Sequence, residues 1–283
     1  MKLDAVTEKT GLIGHPVAHS KSPEMMNEAF RQEGLPWVYL AFDVASEELG
    51  RAVAGLKSLG FRGWNVTIPH KVAVMEYLDE VEESAREIGA VNTVIRREGR
   101  LIGTNTDGAG YLESLVRETG LDVKGSRVVI LGAGGAARAV GYTLARAGAE
   151  QIRIVNRTEK KAKDLADHLR RWTRADGIPP GEAGTAIREA DLLVQSTSVG
   201  MHPHTEDCLV DPACLHKGLL VSDLIYHPRE TRLLQEAKAR GARVHSGLGM
   251  LLHQGALAYE RWTGQRAPVE RMGEVLEQAL GES

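Results

Sequence analysis

One short turn near the middle of the chain constrains the fold more than anything else in the 283 residues. Arg127–Leu131 reads as a strand, apolar enough to be buried on both faces of a parallel sheet. It runs directly into Gly132-Ala133-Gly134-Gly135-Ala136-Ala137, and a helix rich in alanine follows over Ala136–Ala147, closed by Gly148. A strand, a G-x-G-x-x-A turn and a helix in that order form the context of a dinucleotide-binding fingerprint. Gly132 permits the tight turn, Gly134 lets a pyrophosphate approach the backbone, and Ala137 is small enough for the helix to pack on the strand. The free N–H groups of the helix N-terminus then face the phosphates. A merely tight strand–helix turn is the plainer alternative.

The end of the next strand, Ile152–Val155, selects the dinucleotide. A ribose 2′-hydroxyl calls for Asp or Glu about 20 residues beyond the fingerprint. Here the strand runs into Asn156-Arg157-Thr158, followed by Lys160 and Lys161. Arg157 offers a planar fork to a phosphate and Thr158 a hydroxyl, so the 2′-phosphate of NADP is expected. The alternative is a solvated helix start, and Glu159 adds an opposing charge nearby.

The rest of the chain repeats the α/β alternation. Strands are expected over Thr10–Gly14, Trp37–Val44 and Phe61–Ile68, with a hairpin of Val91–Arg96 and Arg100–Thr104 turning at Glu98-Gly99. Helices are expected over Pro23–Gly34, Lys71–Leu78, Glu83–Gly89, Lys160–Arg171, Met250–Trp262 and Val269–Leu280. Ser46 is a candidate cap for a helix ending near Gly60, and Asp176–Gly184, rich in Gly and Pro, reads as a surface loop. Strands at Leu192–Gln195, Leu219–Asp223 and Arg243–His245 extend the second block. At roughly 100–200 residues per domain, this length favours two domains.

Composition narrows the functional classes. Charged residues make up 26% and the net charge is -3, which is not the basic balance of a nucleic-acid protein. No apolar run reaches the roughly 20 residues of a membrane span, and the N-terminal segment does not read as a signal peptide. Cys208 and Cys214 lack metal-type spacing, and the ten histidines are scattered. A cytoplasmic enzyme without a metal is expected.

Four polar clusters lie outside the dinucleotide block. Ser20 and Ser22 precede a helix, where two hydroxyls suit a carboxylate or simply cap the helix. Strand alternation puts Asn65 and Thr67 on one face, with Lys71 just beyond, although a lysine after a strand is usually a surface residue. Asn92 sits in Ala90-Val91-Asn92-Thr93. Asp107 ends Asn105-Thr106-Asp107-Gly108, which is equally good turn chemistry.

Taken together, the segments SKSPEMMN, NVTIPHK, AVNT, GTNTDG, GAGGAARA, NRT, STSVGM, DLIYHPRET and GMLLHQGALAYERWTG resemble the shikimate dehydrogenase family over nearly the whole chain. The resemblance implies two α/β domains. A substrate domain would use 1–107 and recover the C-terminal helices from 246–283, and a Rossmann-like NADP domain would fill 108–245. It implies reversible NADPH-dependent reduction of 3-dehydroshikimate to shikimate, with Lys71 and Asp107 as the catalytic pair. Ser20 and Ser22 would bind the carboxylate; Thr67, Asn92, Asp107 and Gln254 would bind the ring hydroxyls. Gly132, Ala133, Gly134, Gly135 and Ala136, with Asn156, Arg157, Thr158 and Lys161, would hold NADP. Glu83, Leu224 and Gly247 match further cofactor positions, and Tyr226 a substrate position. The partners implied are the small-molecule substrate and a second copy of the chain as a homodimer. Met26 and Ser196 depart from the family pattern, which more often has His and Asn there. A quinate/shikimate dehydrogenase using NAD would want a carboxylate after Val155, and none is present. A non-catalytic NADP-binding regulator would have no need of both Lys71 and Asp107.

Overall fold

Hydrophobic strands of the second half are buried on both faces, so they demand helices above and below. The computed structural model describes residues 3–281. It divides into two compact units, one running to Gly110 and resuming at Leu252, the other Tyr111–Leu251. The boundaries fall inside two helices, a few residues past the 107/108 and 245/246 breaks expected from the sequence.

The first unit contains β1 (Glu8–Gly14), α1 (Ser22–Gln32), β2 (Trp37–Asp43), α2 (Leu49–Ser58), β3 (Gly63–Val66), β4 (Glu80–Val81), α3 (Glu83–Ile88), β5 (Thr93–Arg97) and β6 (Arg100–Thr104). Its sheet has the order β2-β1-β3-β5-β6-β4. β1 is parallel to β2 and β3, whereas β5 is antiparallel to both β3 and β6. The β5–β6 turn has Glu98 at φ 52 and Gly99 at φ 77, the two positive values that a two-residue hairpin turn needs. Ser46 does not cap α2: it starts a 3-10 turn, Ser46–Glu48, whose cap makes no side-chain hydrogen bond. Lys71–Leu78 is likewise reduced to a 3-10 turn over Ala73–Tyr77.

α4 (Asp107–Thr119) begins in the first unit, and the second continues with β7 (Arg127–Leu131), α5 (Gly135–Arg146), β8 (Gln151–Val155), α6 (Glu159–Leu169), β9 (Arg174–Ile178), α7 (Ala183–Arg188), β10 (Leu192–Gln195), β11 (Leu220–Asp223), α8 (Arg232–Ala239) and β12 (Arg243–His245). All of its strand pairs are parallel, in the order β12-β11-β10-β7-β8-β9. Counted from β7, that is the 3-2-1-4-5-6 order of a doubly wound dinucleotide fold. The expected loop over 176–184 is instead β9 and a turn into α7. Gly177 makes this possible, because a Cβ there would lie 2.5 Å from the backbone nitrogen of Lys163 on α6. α4 and α8 were not anticipated; Thr231 caps α8 by accepting from the Leu234 N–H.

α9 (Leu248–Thr263) and α10 (Val269–Gly281) end the chain. The second half of α9 packs on the first unit's sheet: Trp262 Nε1 donates to Val94 O at 2.9 Å, and Tyr259 stacks on Phe30 of α1 at 5.4 Å. Met25 of α1 lies against Gly255 of α9, and Met26 beside it in sequence is fully buried. Among the described residues no helix is long and apolar enough to cross a membrane.

An ion network fastens α10 to α1. Glu28 accepts from Arg31 at 2.6 and 2.7 Å and from Arg271 at 2.8 Å. The hydrogen bonds from Arg31 and then Arg271 hold the Glu28 carboxyl down at about 2. A depressed carboxylate stabilises above its unfolded pKa, and the contribution disappears as pH falls through the folded value. Glu28→Gln is therefore expected to cost about 1 kcal/mol near neutral pH, roughly 2–4 °C in Tm. Melting curves at descending pH should show the gap to the parent closing from about pH 4 towards about pH 2. A gap that stays constant over that range would show that the charge plays no part.

Candidate active site

Strand directions bring the polar clusters of the first unit to one place. β5 is antiparallel to β3 and β6, so the start of β5 shares a sheet edge with the ends of β1, β3 and β6. The loop after β1 carries Ser20 and leads to Ser22 at the start of α1, and the loop after β3 carries Thr67 and Lys71. Asn92 immediately precedes β5, and Asp107 lies just beyond β6. Carboxyl ends of strands are where ligands bind in sheets of this kind.

Lys71 Nζ donates to Asp107 Oδ2 at 2.5 Å, with the two side chains 14% and 4% exposed. Asp107 Oδ1 accepts from Asn92 Nδ2 at 2.9 Å, so each carboxylate oxygen has its own donor. Asn92 is itself fixed: its Oδ1 accepts from the Thr106 N–H at 2.8 Å, and its amide reaches Gln254 Oε1 at 3.4 Å. Behind it, Asn65 donates to Asn92 O and Thr93 Oγ1 while accepting from the Tyr39 hydroxyl at 2.8 Å. Asn65 thus supports Asn92 from within the sheet. The Asn105 side chain accepts from the Asp107 N–H at 3.0 Å, so the expected turn and the start of α4 are one feature.

Gly110, one turn further along α4, is a residue that sequence reasoning missed. A Cβ there would lie 2.5 Å from Gln254 N and 2.8 Å from Gln254 Cα. Its absence lets α9 bring Gln254 against Asn92. The only sequence signal was a glycine three residues after Asp107, easily taken for turn composition.

The other residues expected in the first unit lie on the neighbouring loops and on α3. The N-cap of α1 is Lys21, which makes no side-chain cap; Ser20 Oγ accepts from the N–H of Ser22, the first helical residue, at 3.3 Å, and Ser22 is buried. The β1 and β3 loops are tied by the His15 N–H donating to Ile68 O at 2.9 Å, and Thr67 packs on Gly14. Glu83 is exposed at the start of α3 and is not joined to the Lys71 cluster.

In the second unit the fingerprint turn lies between β7 and β10, where the strand order reverses. Gly132 has φ 111, and a Cβ on it would meet Ser196 Oγ at 2.5 Å. Ser196 Oγ donates to Leu131 O at 2.6 Å, so this departure from the family pattern closes the floor of the turn. Gly134 is the extended N-cap of α5, exposed, and a Cβ on it would find open space. Gly135 and Ala136 open α5, and Ala137 is fully buried beneath it. At the end of β8, Asn156 Nδ2 donates to Thr158 O at 3.0 Å and shapes the turn. Arg157, Thr158 and Lys161 are exposed. Lys160 is held by Asp164 at 2.8 Å and Glu159 lies 4.0 Å from Lys163, whereas no ion pair engages Arg157 or Lys161 among the described residues. Open space at Gly134 and two uncommitted cations after β8 fit a dinucleotide bearing a 2′-phosphate. Leu224 and Tyr226 follow β11, and Gly247 follows β12. A Cβ on Gly247 would lie 2.2 Å from Leu224 O, so only glycine permits that approach.

A sheet in this order with a glycine turn at its switch point is that of a dinucleotide-binding protein. Three family patterns match the chain: the shikimate dehydrogenase substrate binding domain over residues 12–94, shikimate / quinate 5-dehydrogenase over 114–230, and the shikimate 5'-dehydrogenase C-terminal domain over 247–277. The shikimate dehydrogenase (NADP(+)) of Methanopyrus kandleri is 52% identical, covering 98% of this chain and 97% of its own. A crystal structure of a shikimate dehydrogenase in complex with NADP+ superposes with a TM-score of 0.91 at 42% identity, covering 99% of this chain and 98% of the other. The shikimate 5-dehydrogenase of Thermus thermophilus, in complex with NADP(H) and shikimate, gives 0.87 at 41% identity, with 96% and 100% covered. The chain belongs to the shikimate dehydrogenase family.

The two glycines predict opposite behaviour. Gly110→Ala forces α4 and α9 apart and should cost about 1–3 kcal/mol in thermal unfolding. Gly134→Ala enters open space with a permitted backbone and should cost less than about 1 kcal/mol. Equal losses in the two variants would contradict the packing described at Gln254.

Proposed function

We infer that Lys71 and Asp107 form the proton-transfer unit of an NADP-dependent shikimate dehydrogenase, which reversibly reduces 3-dehydroshikimate to shikimate in aromatic amino acid biosynthesis. The observation that carries this is the Lys71–Asp107–Asn92 chain of hydrogen bonds at the sheet edge.

When bound, the cofactor supplies or accepts the hydride at the substrate carbon that bears the reacting oxygen. That oxygen gains a proton in one direction and loses it in the other, so an acid/base must lie within hydrogen-bond reach. An ammonium has three N–H donors; one of Lys71's goes to Asp107, and the others are available to the substrate oxygen. Asp107 anchors the lysine through Oδ2, and the Asn92 amide on Oδ1 keeps the carboxylate from turning. Asn92, Thr67 and Gln254 would orient ring hydroxyls, the Ser20 and Ser22 hydroxyls can still donate to the substrate carboxylate, and Tyr226 is a further residue assigned to the substrate.

Gly132, Ala133, Gly134, Gly135 and Ala136 would cradle the pyrophosphate, with the α5 N-terminus contributing N–H groups. Arg157, Thr158 and Lys161 would take the 2′-phosphate, with Asn156 shaping their turn, while Glu83, Leu224 and Gly247 complete the cofactor set. The domain division read from the sequence assigns the substrate to the first unit and NADP to the second. Cys208 and Cys214 are both free thiols, as suits a reducing compartment; a cytoplasmic enzyme, working as a homodimer, is the setting we propose.

General acid–base groups contribute about 10²–10⁴-fold. Lys71→Ala should lower turnover by that order while shikimate still binds, because its carboxylate and the other hydroxyl contacts remain. Asp107→Ala should lower turnover and weaken shikimate binding as well. Since the two act as a unit, the double variant should be little worse than the poorer single one. Steady-state kinetics with calorimetry on the four proteins decides it. Near-normal turnover in Lys71→Ala removes the lysine from the chemistry, and fully multiplicative losses break the pairing.

A further inference from the structure

β10 and β11 are neighbouring parallel strands, and their last residues, Gln195 and Asp223, are paired in register. Both are polar and buried, at 2% and 0% exposure, a placement that costs stability unless every polar atom is matched. Each side chain folds forward onto its own loop. Gln195 Nε2 donates to Val199 O, and Gln195 Oε1 accepts from the Thr197 N–H, both at 2.8 Å. Asp223 Oδ1 accepts from the Ile225 N–H at 3.0 Å, and Oδ2 accepts from the Thr231 hydroxyl at 2.7 Å. Four hydrogen bonds thus clamp the two loops at their roots.

The loops also meet each other. The His202 N–H donates to His227 O at 3.3 Å, and the two imidazole rings lie 5.4 Å apart. At the other end, Ser196 forms the wall against which Gly132 must be a glycine. The clamped loops therefore flank the switch point on the side away from β8. Arg157 and Lys161 put the 2′-phosphate at the end of β8, so the adenosine half belongs to β7–β9. A doubly wound sheet binds the other mononucleotide on its other half, which gives the nicotinamide to β10–β12.

We propose that Gln195 and Asp223 are positioning residues for the nicotinamide: by clamping residues 196–199 and 224–231 they fix the backbone that orients the ring. This rests on the NADP-dependent reading above. Neither residue need touch cofactor or substrate; both act through the loops.

The test compares NADP+ with adenosine 2′,5′-bisphosphate, which keeps the 2′-phosphate end and lacks the nicotinamide. Binding of each is measured by calorimetry to the parent, Gln195→Met, Asp223→Ala and Asp223→Asn, alongside steady-state kinetics. Gln195→Met and Asp223→Ala should bind the bisphosphate within about twofold of the parent and NADP+ roughly tenfold more weakly. Their turnover should fall about tenfold or more, with the KM for shikimate unchanged. Asp223→Asn should recover most of both losses, since its oxygen still accepts from the Ile225 N–H and its amide can donate to the Thr231 hydroxyl. Equal weakening of both ligands means general damage and overturns the proposal, as does parental binding and turnover in both loss variants. If Asp223→Ala does not fold, Gln195→Met and Asp223→Asn carry the same comparison. The binding ratio requires no turnover, so a parent that binds NADP+ but does not oxidise shikimate would refute the activity and leave the clamp to be judged on that ratio. A parent that does not bind NADP+ overturns both.

Discussion

The buried hydrogen bond between Lys71 and Asp107 is the contact on which the polar end of the first unit's sheet depends. Holding two opposite charges largely away from water is costly, most of all for the more buried partner, Asp107, whose second oxygen must also be matched. Asn92 meets that requirement on Asp107; Thr93 and Thr106 meet it on the Asn92 side chain, and Asn65 donates to the Asn92 backbone oxygen. The sheet supplies the rest. With β5 reversed between β3 and β6, residues distant in sequence arrive at a common edge without any long loop having to be ordered for the purpose. Gly110 adds the last element, letting α9 deliver Gln254 to Asn92.

The second unit solves a different problem with the same logic. Its sheet is parallel throughout and has a single place where the strand order reverses. At that place the chain has glycine where a side chain would collide with Ser196, and an exposed glycine that faces open space. Around it, buried polar side chains at strand ends take hold of the loops that follow. Gln195 and Asp223 do this side by side, and Asn156 does a lighter version after β8.

Much of this was legible in the sequence, for physical reasons. β7 and β10 have the bounds expected of them because short apolar runs ending in Gly or polar residues leave little latitude. The turn after β7 was legible because G-x-G-x-x-A between a strand and a helix is a local pattern, and Gly132 in it answers to sterics. The segment over 176–184 was not: Gly and Pro signal a loop locally, yet α6 lies so close to Gly177 that only a glycine strand fits. Ser46 failed as a cap because a 3-10 turn comes before α2. At the site, Lys71, Asp107, Asn92 and Gln254 were singled out by resemblance, and the structure brings those four together. Gly110, Gln195 and Asp223 escaped notice because their work is tertiary: a close approach and two loop clamps, which no local pattern encodes.

The central claim, an NADP-dependent enzyme acting on shikimate, is tested most directly by following nicotinamide absorbance with the purified protein. Shikimate and quinate are each offered with NADP+ and with NAD+. The arrangement after β8, with Arg157 and Lys161 uncommitted and no strand-end carboxylate, predicts rapid reduction of NADP+ by shikimate. The same substrate with NAD+ should have a kcat/KM lower by about tenfold or more. Preference for NAD+, or turnover of quinate in place of shikimate, would contradict the account.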